Sequence, residues 1–149
     1  MSDKTSVLYF DDEPVLLDIF RDMFSDTYDV QTASTLPEAR SALARCPDII
    51  ISDWSMPEMP GTDFLREAAH TCPDSFRVML TGYGQVGDVF KEISSGVIQL
   101  FITKPWDESD MREVLERRTM GRSRQRRLDP GRRDDAHGFP ERVILLRLN

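Results

Sequence analysis

The sequence predicts an α/β fold: a doubly wound, five-stranded parallel sheet flanked by five helices. Three observations predict it. Five short apolar runs recur along the 149 residues, each is followed by a segment of helical spacing, and most runs are apolar throughout instead of alternating. Continuous apolar runs fit strands buried on both faces. Strand–helix alternation implies right-handed crossovers that place helices on both sides of the sheet.

The first run, residues 7–10, ends at Asp11-Asp12. Pro14 then suits the first turn of a helix capped by Asp12, with Val15, Leu16, Ile19, Phe20 and Met23 facing inward. The second run, residues 28–33, alternates Tyr28, Val30 and Thr32 with Asp29 and Gln31, as an edge strand does. Thr35 can cap the next helix, with Leu36, Ala39 and Leu43 inward and Pro47 beyond its end. The third run, residues 49–51, leads into Ser52-Asp53, and a helix follows over about 62–69. The fourth run, residues 76–80, ends at Thr81-Gly82. A helix is expected over about 86–95, stopping at Gly96. The fifth run, residues 97–102, leads to Thr103-Lys104-Pro105. A last helix starts near Asp107 and carries Met111, Val114 and Leu115.

Ligands of open α/β sheets bind at the carboxyl ends of the strands. Those ends carry Asp11 and Asp12, Asp53, Thr81 and Lys104. If strands one, three, four and five are neighbours, three carboxylates, a hydroxyl and an ammonium converge on one rim. Two carboxylates about 5 Å apart repel by roughly 3 kcal/mol at an effective dielectric near 20. A hard divalent cation such as Mg²⁺ relieves that repulsion and still accepts phosphate oxygens. A carboxylate can then act as the nucleophile toward a phosphoryl group, with the cation and Lys104 stabilising the transferring oxygens. Each residue also has a plain reading: Asp12 as a helix cap, Asp53 as a loop carboxylate, Thr81 as a turn residue, Lys104 as a solvated lysine. Their joint position at strand ends is what favours chemistry.

At these residues the chain resembles the receiver domain of two-component response regulators, over about residues 5–119. Asp53-Trp54-Ser55-Met56-Pro57 fits that family's D-x-x-M-P pattern, and Gly61 fits its following glycine. The resemblance implies a flavodoxin-like sheet of order 2-1-3-4-5 and an aspartyl phosphate on Asp53. It implies Mg²⁺ held by Asp11, Asp12, Asp53 and the backbone carbonyl of Ser55. Thr81 becomes the switch hydroxyl, Lys104 the phosphate-pairing lysine, and Phe101 the switch aromatic or plain core. Lys104-Pro105 becomes a cis peptide. Two departures stand out: Pro60 before the glycine, and Phe101 lacking the hydroxyl of the more usual tyrosine. The implied partners are a histidine kinase or phosphotransfer protein and a downstream effector. A homodimer would use the face of the fourth helix, fifth strand and fifth helix. Beyond its own phosphorylation and slow dephosphorylation, no enzymatic turnover is expected.

A competing motif, Gly82-Tyr83-Gly84-Gln85-Val86-Gly87, spells G-x-G-x-x-G. It follows the fourth strand instead of the first, and Asp107 is better placed to cap the last helix, so a dinucleotide site is not expected. The glycines more simply give the loop after Thr81 room to move.

Composition narrows the classes further. Residues 1–111 carry a net charge of −12 and residues 112–149 a net of +5. The acidic body repels nucleic acid. No apolar run approaches the roughly 18–20 residues of a membrane span, and the N-terminal MSDKTSVLYFDDEP meets acids too soon for a secretory leader. A cytoplasmic protein is expected, with Cys46 and Cys72 as reduced, buried thiols. Residues 120–149 form a basic extension in which no output domain is recognisable. Residues 121–133 look too basic and too broken by Gly and Pro to continue a core helix, and the apolar patch 143–146 either docks or stays free. Two alternatives compete with the signalling reading: an unphosphorylated interaction module, and a regulator acting through the basic extension.

Overall fold

In a computed structural model, the structure describes residues 4–82, 95–124 and 143–145. The described elements are β1 (Ser6–Phe10), α1 (Pro14–Phe24), β2 (Asp29–Ala33), α2 (Leu36–Leu43), β3 (Ile49–Asp53), α3 (Gly61–Thr71), β4 (Phe76–Thr81), β5 (Leu100–Thr103), α4 (Glu108–Arg124) and β6 (Val143–Leu145). The expected helix over 86–95 and the glycine-rich motif fall almost wholly outside the described residues.

The sheet runs β2-β1-β3-β4-β5-β6. The first five strands are parallel, in the order the resemblance implies. One strand is added: the patch left open in the basic extension supplies β6, antiparallel to β5, with Phe101 opposite Ile144. The last helix also runs through Arg124, beyond the point where the composition turns basic.

Period-2 alternation divides the strands between two cores. Leu8, Phe10, Ile50, Met79 and Phe101 pack against α2 and α3. Val7, Tyr9, Ile49, Ile51, Val78, Leu80 and Ile102 pack against α1 and α4. Strands β1, β3 and β4 are therefore apolar on both faces, which explains their continuous runs.

Three expectations need correction. Helix α1 is capped at Glu13, with Pro14 opening the helix; Asp12 lies outside it. Its buried face is Leu17, Phe20 and Phe24, whereas Val15 and Ile19 are exposed at 68% and 38%. Val15 and Ile19 are the misplaced residues, and Leu17 and Phe24 the omitted ones: a stripe at Leu17, Phe20 and Phe24 is as helical as the one drawn through Val15 and Ile19. The cysteines are not a pair of buried thiols. Cys46 is exposed, Cys72 is buried, and their sulfurs are bonded at 2.16 Å. A left-handed turn at Cys46 (φ 46°) after α2 brings it to a Cα distance of 5.3 Å from the C-cap of α3.

Other signals held. Thr35 and Glu38 form a reciprocal capping box on α2. Asp107 Oδ1 accepts the Asp110 N–H at 2.8 Å at the start of α4. Gly96 takes φ +85°.

Gly61 is where the chain folds most tightly beside β3. Its N–H donates to the Trp54 carbonyl at 2.9 Å, and a Cβ there would stand 2.0 Å from the Asp53 carbonyl oxygen. That neighbour is backbone and cannot swing away. Gly61→Ala should destabilise the fold by about 1–3 kcal/mol or more, read as a fall in the urea midpoint; a wild-type midpoint would contradict this close approach.

Candidate functional site

Parallel register brings the carboxyl ends of the strands to a common rim. Phe10 lies opposite Ser52, so the next residue, Asp11, follows on beside Asp53. Asp53 pairs in register with Leu80, and Thr81 with Thr103. Lys104 follows β5 directly, and its own N–H donates to the Thr81 carbonyl at 2.6 Å.

Lys104 joins the site across the sheet. Its Nζ stands 3.1 Å from Asp11 Oδ2 and 3.0 Å from Asp53 Oδ1, with Glu13 Oε1 at 4.0 Å. Asp11 is fully buried and Asp53 nearly so. Asp11 Oδ1 accepts the Glu13 N–H at 3.0 Å, which turns the chain into α1. Asp11 Oδ2 also accepts the Tyr9 hydroxyl at 2.8 Å. The peptide bond between Lys104 and Pro105 is cis, as expected.

The electrostatics follow from crowding acids in a half-dry cleft. Burial, then repulsion from Asp11 and more weakly from Asp12, pushes the Asp53 carboxyl up to about 6, against the opposing pull of Lys104. Burial alone would lower Lys104, but Asp11 and Asp53 outweigh it and raise its pKa. Burial first, and then the Asp11 charge, drives the Tyr9 phenol well above its ordinary range, so it remains a proton donor.

The remaining candidates take their places around this cluster. Thr81 Oγ1, at the end of β4, is buried with no hydrogen-bond partner among the described residues. Such a group normally has a partner, so a site that supplies one on binding is a reasonable destination for it. Ser55 lies exposed in the loop after Asp53, whose start is fixed by the Trp54 N–H on the Leu80 carbonyl at 2.8 Å. Phe101 is fully buried, packed in the α2/α3 core. Two residues were missed by sequence reasoning. Glu13 joins Asp11 and Asp12 in a group whose carboxylate oxygens lie within 4.8 Å of one another; the acidic triplet was its available signal. Tyr9 sits two residues before Asp11 and so shares its side of the strand, but it read as one more apolar residue of the run.

A hard divalent cation fits this donor set. Asp11, Asp12 and Asp53 offer carboxylate oxygens, their mutual repulsion is only partly relieved by Lys104, and the Thr81 hydroxyl at the end of the adjoining strand has no partner among the described residues.

The raised Asp53 pKa has a consequence for stability. The folded chain binds a proton between the ordinary carboxylate value of 3.8 and about 6 that the unfolded chain does not. Metal-free stability therefore falls as pH rises through that window. Asp53→Asn should be more stable than the wild type in metal-free buffer near pH 7, by at most about 3 kcal/mol. The gap should close below about pH 4. Thermal melts across pH check this, and equal melting points near neutrality would contradict it.

Comparison with known proteins agrees with this architecture. Residues 7–116 match the response regulator receiver domain family. Among curated relatives, the hydrogenase transcriptional regulatory protein HoxA of Cupriavidus necator is 35% identical over 108 residues, covering 71% of this chain and 22% of the relative. The C4-dicarboxylate transport transcriptional regulatory protein DctD of Pseudomonas aeruginosa is 31% identical over 146 residues, covering 91% of this chain and 30% of the relative. The chain thus spans less than a third of the length of either. The signal receiver domain of an HD domain-containing protein from Pseudomonas fluorescens superposes with a TM-score of 0.73 at 26% identity, covering 86% of this chain and 96% of that one. A CheY-like receiver domain protein from Methanospirillum hungatei superposes with a TM-score of 0.75 at 22% identity, covering 83% and 99%, which supports the fold alone. With its strand order, its rim of acids and lysine, and these relatives, the chain belongs to the response regulator receiver domain family of two-component systems.

Proposed function

We propose that the chain is phosphorylated on Asp53 in a Mg²⁺-dependent transfer from the phosphohistidine of a histidine kinase or a phosphotransfer protein. The observation that carries this reading is the single ammonium of Lys104 held within about 3 Å of both Asp11 and Asp53 in a buried cluster.

Asp53 is the nucleophile: its carboxylate oxygen forms the bond to phosphorus as the bond to the donor nitrogen breaks, and the donor imidazole leaves. Asp11, Asp12, Asp53 and the Ser55 carbonyl would hold Mg²⁺, which would supply positive charge to the phosphoryl oxygens. Lys104 gives up its contact with Asp53 and pairs with a phosphoryl oxygen. Thr81 supplies a hydrogen bond from the hydroxyl that has no partner among the described residues. Reorientation of Thr81 opens space against β5, where Phe101 is packed, and biases the face formed by β5 and α4 between two states. That face is where an effector, or a second copy, would read the signal. The relatives' printed names suggest transcription as the output class, and the acidic body fits a cytoplasmic switch that does not itself bind nucleic acid.

Intact mass after treatment with acetyl phosphate and Mg²⁺ should show one added phosphoryl group, absent without Mg²⁺ and absent in Asp53→Asn. Full labelling of that variant would place the acceptor elsewhere. Lys104→Ala should keep Mg²⁺ affinity at or above the wild-type level, because a competing positive charge has gone, while labelling slows by about tenfold or more. A tenfold loss of Mg²⁺ affinity, read from Trp54 fluorescence, would contradict this division of roles.

A further inference from the structure

We infer that Tyr9 is a positioning residue for the Asp11 carboxylate, and that Trp106 in turn fixes Tyr9. The inference rests on the phosphorylation reading only in treating Asp11 as part of the cation site. Tyr9 belongs to none of the groups already assigned there, yet its hydroxyl is buried and aimed at Asp11 Oδ2, 2.8 Å away. A phenol has one proton to give. Because the Trp106 indole can only donate, and does so toward the Tyr9 oxygen at 3.4 Å, the Tyr9 proton goes to Asp11.

The direction of the chain of bonds is therefore fixed: Trp106 to Tyr9, Tyr9 to Asp11. Lys104, two residues before Trp106, reaches the same Oδ2 at 3.1 Å. The turn at Pro105 is thus tied to Asp11 at both ends, once through a charge and once through a phenol. The rings are equally constrained. Tyr9 stands edge-on to Phe20, with centroids 5.0 Å apart, and to Trp106 at 6.3 Å, while Phe20 meets Trp106 at 6.1 Å. A side chain held by two rings cannot swing its hydroxyl away, so it sets the plane of the carboxylate it touches. Its partner Oδ1 is already taken by the Glu13 N–H. With both oxygens engaged, Asp11 cannot rotate to follow a cation; Asp12, exposed beside it, has that freedom. Groups that orient metal ligands in this way matter about 10–100-fold for affinity when removed.

Tyr9→Phe in the full chain keeps the ring and deletes the hydroxyl. Two measurements read it. In metal-free protein, the indole N–H resonance of Trp106 should shift while that of Trp54 stays, which ring packing alone would not produce. In Mg²⁺ titrations the affinity should fall by about tenfold. A folded Tyr9→Phe protein with unchanged Mg²⁺ affinity overturns the inference. Should that variant fail to fold, Trp106→Phe carries the test: it removes the donor behind Tyr9, with part of the ring packed on it, and should weaken Mg²⁺ by a smaller factor, and an unchanged affinity again overturns it. A wild-type chain that binds Mg²⁺ but resists labelling by acetyl phosphate would sink the phosphorylation reading and leave the role of Tyr9 standing.

Discussion

One ammonium group holds the rim of this domain together. Lys104 lies about 3 Å from two buried carboxylates that sit on different strands. At that separation each attraction is worth roughly 5 kcal/mol at an effective dielectric near 20, offset by the cost of drying all three groups. Without it, the repulsion between Asp11 and Asp53 at the rim would lose the positive charge that opposes it. The position of Lys104 is itself set by backbone: its N–H binds the Thr81 carbonyl, so the strand that ends in the hydroxyl also locates the amine. The end of β4 and Lys104 are therefore placed together at the rim.

The rest of the architecture serves to bring distant chain segments to that point. Parallel strands with apolar residues on both faces stack the ends of β1, β3, β4 and β5 in one direction. Gly61 lets the chain return to within touching distance of Asp53 as α3 begins. Arg77, buried at the opposite end of β4, donates to the carbonyls of Ser75, Gly96 and Val97 and so ties the approach to β5 onto the sheet. A buried guanidinium satisfied by carbonyls keeps its charge among oriented dipoles.

Much of this was legible in the residues, and the exceptions share a cause. Strands and the rim acids could be read because burial on two faces and the chemistry of strand ends leave local marks; the strand order came from the family resemblance. The cap of α2 was legible for the same reason: Thr35 and Glu38 are three apart. What stayed hidden depends on angles between elements. Val15 and Ile19 fit a helical stripe as well as Leu17 does, and only the seating of α1 on the sheet decides which is buried. Nothing local to Cys46 or Cys72 shows that a left-handed turn will bring them together; expecting free thiols weighed the compartment and not the geometry. Tyr9 looked like an apolar filler because its polar end matters only once Trp106 and Asp11 have been placed around it. Phe101 is core in this structure.

The sixth strand changes how this sheet presents itself to others. A sheet ending at β5 would offer a row of backbone donors and acceptors to any extended segment that came along. Here that berth is taken by residues 143–145 of the same polypeptide, laid antiparallel against Leu100, Phe101 and Ile102. A visiting protein that reads the domain by strand addition must first evict a resident, and its apparent affinity is its intrinsic one scaled by how often the berth stands vacant. Residues 143–145 thereby acquire a say in recognition from the edge of the sheet.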